Sequence, residues 1–158
     1  MTALQGVLAE RDKWSAVGQC AIEKTMSLVG TKSAMLLMRE AYYGTTRFDD
    51  FAKRVGITKA ATSARLAELV EAGLLTKQPY REPGQRSRDE YVLTQAGTDF
   101  MPVVWAMFEW GRQHLGDTGL RLTHLGCGAD ATVEIRCTEG HEVPPDELGM
   151  KLARRRGR

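Results

Sequence analysis

Three arginines surround one turn near the middle of the chain: Arg81, Arg86 and Arg88. The dipeptide Pro83-Gly84 between them is typical of a tight turn, and residues 74–80 and 89–94 favour short β-strands. Guanidinium groups bind phosphate oxygens through directed hydrogen bonds. The pattern therefore predicts a β-hairpin whose tip binds phosphate groups. The alternative is that these arginines only solvate an exposed loop.

Two predicted helices precede this hairpin. The first covers residues 49–55 and stops at Gly56, which can supply a turn. The second covers residues 59–72, because the Thr58 hydroxyl can accept a backbone N–H at its start and Gly73 can adopt the left-handed conformation that ends it. Two short helices followed by a hairpin are typical of a winged helix-turn-helix, a fold that is mainly α with a small β wing.

The second predicted helix has one buried and one open face. Leu66, Leu69 and Val70 fall within roughly a third of its circumference, which marks the buried stripe. The opposite face carries four alanines, Ala60, Ala61, Ala64 and Ala67. Small side chains suit a helix that enters a groove of DNA closely. Arg65 also has an alternative role, since it could pair with Glu68 three residues on.

We expect the DNA contacts to come from this helix, from the entrance to the helix pair and from the hairpin. They are Thr46, Arg47, Thr58, Lys59, Ser63, Arg65, Arg81, Arg86 and Arg88. The entrance residues would touch phosphate, and the hairpin arginines would reach phosphate or the neighbouring minor groove.

Short motifs at fixed spacing extend from residue 20 to about residue 115. They are Cys20-Ala21-Ile22-Glu23, Gly30-Thr31-Lys32, Gly44, Arg47-Phe48, Gly56-Ile57-Thr58, Ser63-Ala64-Arg65-Leu66, Glu71-Ala72-Gly73-Leu74 and Glu90-Tyr91-Val92-Leu93-Thr94. Their order resembles the HxlR family of bacterial winged-helix transcription regulators. The resemblance implies a homodimer on a pseudo-palindromic operator, with one recognition helix per half-site. Three positions differ from the usual family pattern: Ala21 replaces proline, Ser33 replaces tryptophan and Thr62 replaces leucine.

The chain is expected to have three parts: an N-terminal arm that contacts a second subunit (1–19), the winged-helix domain (20–115) and a small β-prone tail (116–158). Residues 2–13 could form a short amphipathic helix. Ile22, Met26 and Val29 keep helical spacing, and a second apolar helix follows over residues 34–42. Both of these helices are expected to supply the core beneath the helix-turn-helix.

The predicted helix from Gln95 to about Leu115 has apolar residues over roughly 220° of its circumference, about twice a one-sided stripe. Gly97 and Pro102 predict a frayed first turn or a kink near residues 98–102. Such a helix must bury two faces, so one face is expected to meet a second chain; the alternative is a thick core within one subunit. The expected dimer contacts are Leu4, Val7, Met101, Trp105 and Phe108. A small aromatic effector could instead bind through Trp105, Phe108 or Trp110.

Cys20 is the candidate redox switch, since some regulators of the resembled family sense oxidants or electrophiles through a matching cysteine, and a stabilised thiolate reacts readily. Its alternative role is that of a small buried hydrophobic residue.

The tail contains four candidate ligands for a structural zinc ion: His124, Cys127, Cys137 and His141. A metal-free hairpin around residues 131–136 is the alternative and the favoured one. The cationic end, Lys151, Arg154, Arg155, Arg156 and Arg158, could add non-specific attraction to DNA.

The 158 residues carry a formal net charge of only +2, so any basic patch must be local. The sequence lacks an apolar run of about twenty residues and the residue order of a signal peptide, which favours a cytoplasmic protein with no membrane partner. It shows neither a phosphate-binding glycine loop nor a nucleophile elbow, so we expect no enzymatic activity and no required cofactor. The leading alternative function is a winged helix that binds only protein; the arginine-rich wing favours DNA.

Overall fold

The computed structural model describes residues 2–81, 84 and 86–152, and it divides the chain into two compact units. The larger unit covers residues 21–120. The smaller unit is built from both ends of the chain, up to Cys20 and from Arg121 onward. The N-terminal arm and the tail, expected as two separate parts, therefore belong to one unit.

The larger unit is mainly helical, with one antiparallel hairpin. Its elements are α1 (Ala21–Val29), α2 (Lys32–Tyr42), α3 (Phe48–Val55), α4 (Lys59–Glu71), β1 (Leu75–Tyr80), β2 (Arg88–Leu93), α5 (Gln95–Asp99) and α6 (Met101–His114). The two strands pair in register from Leu75 opposite Leu93 to Tyr80 opposite Arg88. This order confirms the predicted winged helix-turn-helix.

The core lies where α2, α3 and α4 meet the base of the hairpin. Its largest fully buried side chains are Phe51, Leu37, Met38, Leu66, Leu69, Leu75, Val29 and Thr62. The Phe51 ring meets Tyr91 of β2 edge to face, with 6.3 Å between ring centroids. The hairpin is thus attached to the helix pair by side-chain packing as well as by the chain.

Helix α1 does not supply the core in the way its spacing predicts. Val29 at its end is buried, but Ile22 and Met26 are 73% and 53% exposed, and Leu28 is also exposed. The nine-residue helix lies on the surface of the unit, so most of its apolar side chains remain uncovered. In contrast, Met38 of α2 is fully buried, as expected for a core methionine.

The long C-terminal helix is interrupted where its sequence predicts. Helix α5 ends at Asp99, Phe100 separates the two segments, and Pro102 occupies the first turn of α6, where its missing N–H costs no hydrogen bond. Gly97 is required by packing, because a Cβ at this position would lie 2.1 Å from the carbonyl oxygen of Leu74. The Tyr42 hydroxyl donates to the Gly97 carbonyl oxygen at 2.7 Å, which joins α2 to α5.

The smaller unit has little regular structure. Ala3–Leu4 pairs in parallel with Gly149–Met150, and the predicted amphipathic helix over residues 2–13 is replaced by two 3₁₀ turns, Gly6–Ala9 and Arg11–Lys13. Gly6 has a φ of 60°, a left-handed conformation that does not propagate an α-helix. The Trp14 indole N–H donates to the carbonyl oxygen of Leu8 at 3.0 Å.

In the tail, residues 131–136 form no continuous strand. Isolated bridges join Thr123 to Asp130 and Arg136 to Glu142, so each closes a separate turn. Within the described part of the chain, no helix combines the length and apolar character needed to cross a membrane.

Candidate nucleic-acid interface

Helix α4 begins at the residue that its capping signal predicts. Thr58 has an extended backbone, and its Oγ1 accepts a hydrogen bond from the backbone N–H of Ala61 at 3.2 Å. Gly73, with a φ of 71°, follows the end of the helix. The two local signals therefore fix the length of the proposed recognition helix to within one residue.

The buried face of α4 contains a polar residue where the resembled family usually has leucine. Thr62 is fully buried together with Leu66 and Leu69. Its hydroxyl donates to the carbonyl oxygen of Thr58 at 2.9 Å, so the buried oxygen has a partner. This internal hydrogen bond explains how threonine is accommodated beneath the helix.

The outer face of α4 is built from small side chains. Ala60, Ser63, Ala64 and Ala67 are exposed, and Ala61 is half-buried. Arg65 adopts its alternative role, because its guanidinium group pairs with the carboxylate of Glu68. A contact between Arg65 and DNA would therefore require this ion pair to open.

Lys59, the first residue of α4, is paired with α3. Its Nζ lies 2.7 Å from Oδ1 of Asp49, and both side chains are largely exposed. The hydrogen bond and the charge of Lys59 lower the pKa of the Asp49 carboxyl, and the charge of Arg88 on β2 lowers it further. Asp49 was not among the predicted site residues, since nothing in the sequence connects it to a lysine ten positions later.

Arg47 has a different position from the one expected for a phosphate contact. Its guanidinium group lies over the Tyr80 ring, 3.0 Å from the centroid, and its Nε is 4.0 Å from Oε2 of Glu90. Its Nη1 is buried, with no hydrogen-bond partner among the described residues. Arg47 thus joins the start of α3 to both strands of the hairpin, and a phosphate contact would require it to leave the ring.

The backbone beside Arg47 makes the same connection. The carbonyl oxygen of Thr46, itself half-buried, accepts from the Tyr91 N–H at 2.8 Å, and Arg47 and Glu90 form an isolated antiparallel bridge. The entrance to α3 therefore acts as a short third strand beside the hairpin, which fixes the direction of the wing relative to the helix pair.

The three wing arginines are exposed. Arg88 begins β2 opposite Tyr80, and Arg81 and Arg86 lie nearer the turn. Gly84 has a φ of 77° in this turn, whereas Pro83, the other half of the predicted turn signal, lies outside the described residues. The hairpin thus presents cationic side chains at its outer end.

The aromatic side chains of helix α6 pack mainly against other residues of the same chain. Trp105 packs against Tyr42 and Tyr43 of α2, with ring centroids 5.9 and 5.8 Å away, and Phe108 meets Trp105 edge to face at 6.3 Å. Of the predicted dimer contacts, Met101, Trp105 and Phe108 are half-buried. The uncovered apolar side chains on α6 are Val103, Met107 and Trp110, none of which is among the expected dimer contacts.

In the smaller unit, the two predicted dimer contacts differ in exposure: Leu4 is half-buried and Val7 is exposed. Cys20 is a free, half-buried thiol, and Cys127 and Cys137 are free and exposed. At the cationic end, Lys151 is exposed, while Arg154, Arg155, Arg156 and Arg158 lie outside the described residues.

The four candidate zinc ligands are not gathered into one site. His124 Nδ1 lies 3.1 Å from Cys127 Sγ, and Cys137 and His141 are joined by a backbone hydrogen bond of 2.9 Å in a separate turn. Among the described residues, no three His, Cys, Asp or Glu side chains lie close enough to share a metal ion. A structural zinc ion usually takes four protein ligands, so this arrangement does not fit the candidate centre.

Comparison with known proteins agrees with this geometry. The family model HxlR-like helix-turn-helix matches residues 28–118. The chain belongs to this family. An uncharacterized HTH-type transcriptional regulator of Mycobacterium tuberculosis, Rv3095, is 34% identical over 127 residues, which cover 78% of this chain and 79% of the relative. The chain is thus a transcriptional regulator of the helix-turn-helix type, and no enzyme family is indicated.

Two solved structures resemble it to different extents. PA1607, described as a proposed transcription factor, has a TM-score of 0.74 and 26% identity, and the match covers 88% of this chain and 97% of the PA1607 chain. The redox regulator HypR in its oxidized form has a TM-score of 0.55 and 29% identity, and the match covers 60% of this chain and 97% of the HypR chain. Since the larger unit holds only 100 of the 158 residues, the likeness to PA1607 includes part of the smaller unit.

Proposed function

We propose that this regulator binds duplex DNA as a homodimer. In each subunit, α4 enters the major groove, and the arginines of the hairpin bind phosphate or the neighbouring minor groove. The observation that carries the proposal is the outer face of α4, which exposes only small side chains between Thr58 and Ala67 apart from Lys59 and the partly exposed Arg65. The attachment of the helix pair to a cationic hairpin, through Phe51 against Tyr91 and the bridge between Arg47 and Glu90, supports it.

The outer face of α4 has the shape that reading base edges requires. A helix fits the major groove of B-DNA, and hydroxyl and cationic side chains near its start can reach the bases. Ser63 is exposed, and the Thr58 hydroxyl still has a proton to donate after capping the helix. Thr58 and Ser63 are the proposed base contacts, and Lys59, which pairs with Asp49, is proposed to contact phosphate.

The homodimer is supported by the uncovered stripe on α6. Val103, Met107 and Trp110 are four and three residues apart, so they form one row on the helix, and all three are exposed. A contiguous exposed apolar row is typical of an interface. In a two-fold dimer, the recognition helices would lie about 34 Å apart, which requires a pseudo-palindromic site.

The direct test uses duplexes from the promoter region next to the regulator's own gene. Fluorescence anisotropy is measured from 50 to 200 mM salt, and light scattering gives the oligomeric state of the protein alone. The proposal requires tight, salt-sensitive binding to one pseudo-palindromic segment by a dimer. Salt-insensitive or absent binding to every duplex would leave the protein-only winged helix as the better description.

Regulation by oxidation is a second part of the proposal. HypR is a redox regulator, and Cys20 is a free thiol that is accessible in part. Operator binding by the wild type is expected to change after treatment with diamide or a quinone, while Cys20→Ser stays unresponsive. Cys137→Ser, which removes an exposed thiol, is the matched control and should respond like the wild type. An oxidant response that survives in Cys20→Ser refutes the role of this thiol.

A further inference from the structure

The first turn of α3 carries two adjacent carboxylates with different surroundings. Asp49 and Asp50 are both exposed. Asp49 accepts a hydrogen bond from Lys59 at 2.7 Å, whereas Asp50 has no ion pair with any described residue. One of two chemically identical neighbours is therefore tied to the start of the recognition helix, which distinguishes it from an ordinary solvated acid.

Asp49 also lies within the electrostatic influence of the wing. Arg88 on β2 favours its ionised form, in addition to the stronger effect of Lys59. Asp49 thus pairs with a cation of the recognition helix and is influenced by a cation of the hairpin, the two elements that are proposed to bind DNA. A carboxylate there repels phosphate and competes with it for both cations.

This competition affects specific and non-specific complexes unequally. Non-specific binding depends almost entirely on cation–phosphate pairs, so a cation held by a carboxylate contributes less to it. A specific complex also gains contacts with base edges, and its affinity depends less on any one cation. We propose that Asp49 is a positioning residue that holds Lys59 against α3 and raises the preference of the regulator for its operator over other DNA. This inference rests on the proposed function.

The test compares Asp49→Asn with Asp50→Asn, which removes the same charge one residue further along the same helix. Affinities for a retained promoter duplex and for a scrambled duplex of equal composition are measured across a salt series. Asp49→Asn is expected to tighten binding to the scrambled duplex by about tenfold at 50 mM salt and to steepen its salt slope by about two per dimer. Binding to the promoter duplex should tighten by less, so the specificity ratio, which is the affinity for the promoter duplex divided by that for the scrambled duplex, falls. Asp50→Asn should change both affinities by a smaller and equal factor.

A second comparison shows whether Asp49 acts through Lys59. In a Lys59→Met background, the gain from Asp49→Asn should largely disappear, which is the coupling expected of two side chains in contact. Asp49→Glu retains the charge and should keep the wild-type specificity ratio. Asp49→Ser, which suits a helix start, replaces the asparagine variant if thermal unfolding shows that the latter is not folded.

Equal effects of Asp49→Asn and Asp50→Asn would show that only net charge matters and would overturn the inference. The inference would also be overturned if Asp49→Asn raised the affinity for the scrambled duplex as strongly in the Lys59→Met background as in the wild type. Failure of the wild type to bind any duplex in a salt-sensitive manner would instead refute the proposed function, and the two failures are therefore distinguishable.

Discussion

Removing the wing arginines should change the salt dependence of DNA binding by a predictable amount. Arg86 and Arg88 are exposed on the outer part of the hairpin, and a dimer carries four such guanidinium groups. Each phosphate that a cation neutralises contributes about 0.9 to the slope of log affinity against log salt concentration. The double variant Arg86→Ala/Arg88→Ala should therefore have a slope about 3.6 smaller than that of the wild type. Between 50 and 200 mM salt, the fold-decrease in affinity of the wild type should therefore be about 150 times that of the variant.

The assay is fluorescence anisotropy with one labelled duplex at five or more salt concentrations. Both promoter and scrambled duplexes should show the change, because phosphate contacts carry no sequence information. Lys24→Ala removes an exposed cation from α1, outside the proposed interface, and should leave the slope within about one unit of the wild type. Parallel salt curves for the double variant and the wild type would refute the assignment of the wing to the phosphate backbone.

Three further predictions concern the dimer and the core. Met107→Glu places a charge in the uncovered row on α6 and should convert the dimer to a monomer in light scattering, whereas the Lys24→Ala protein should remain dimeric. Tyr42→Phe should lower the free energy of unfolding by about 1 kcal/mol at neutral pH, because the bond to Gly97 is lost. Burial raises the pKa of Tyr42 to about 12, so its stabilising effect is complete below about pH 10 and is lost as the pH rises through 12. The free energy of unfolding of the wild type, measured with urea, should therefore fall by no more than about 2 kcal/mol between pH 9 and pH 12, a limit reduced because Tyr42 is partly exposed. The free energy of unfolding of Tyr42→Phe should fall by less over the same pH range.

Several features of the fold could be predicted because their causes lie within a few residues. Thr58 caps α4 through a hydrogen bond to a residue three positions away, and Pro102 is confined to the first turn of a helix by its own ring. The family motifs from residue 20 to about residue 115 gave the order of the elements, and the family model confirms that membership. The arrangement of helix, turn, helix and hairpin was therefore predictable from the sequence.

The partners of charged and apolar side chains were less predictable. Helical spacing alone placed Ile22 and Met26 in the core, yet whether a stripe is covered depends on the element packed against it, and α1 lies at the surface. Likewise, the sequence allowed Arg47 to reach phosphate, whereas the structure places it over Tyr80, 33 positions later in the chain. The candidate zinc ligands have suitable residue types, but their turns do not bring three of them together in the described part of the chain.

For this regulator, the sequence by itself determined the type and order of the elements from α1 to α6, the ends of α4 and the cationic character of the wing. Only the tertiary structure decided which of its cations are already paired, as Lys59 is with Asp49 and Arg65 is with Glu68, and which face of α6 remains open. The physical reason is the range of the interactions. Capping and backbone conformation act between neighbours along the chain, whereas ion pairs and packing depend on distances in space that the fold must first establish.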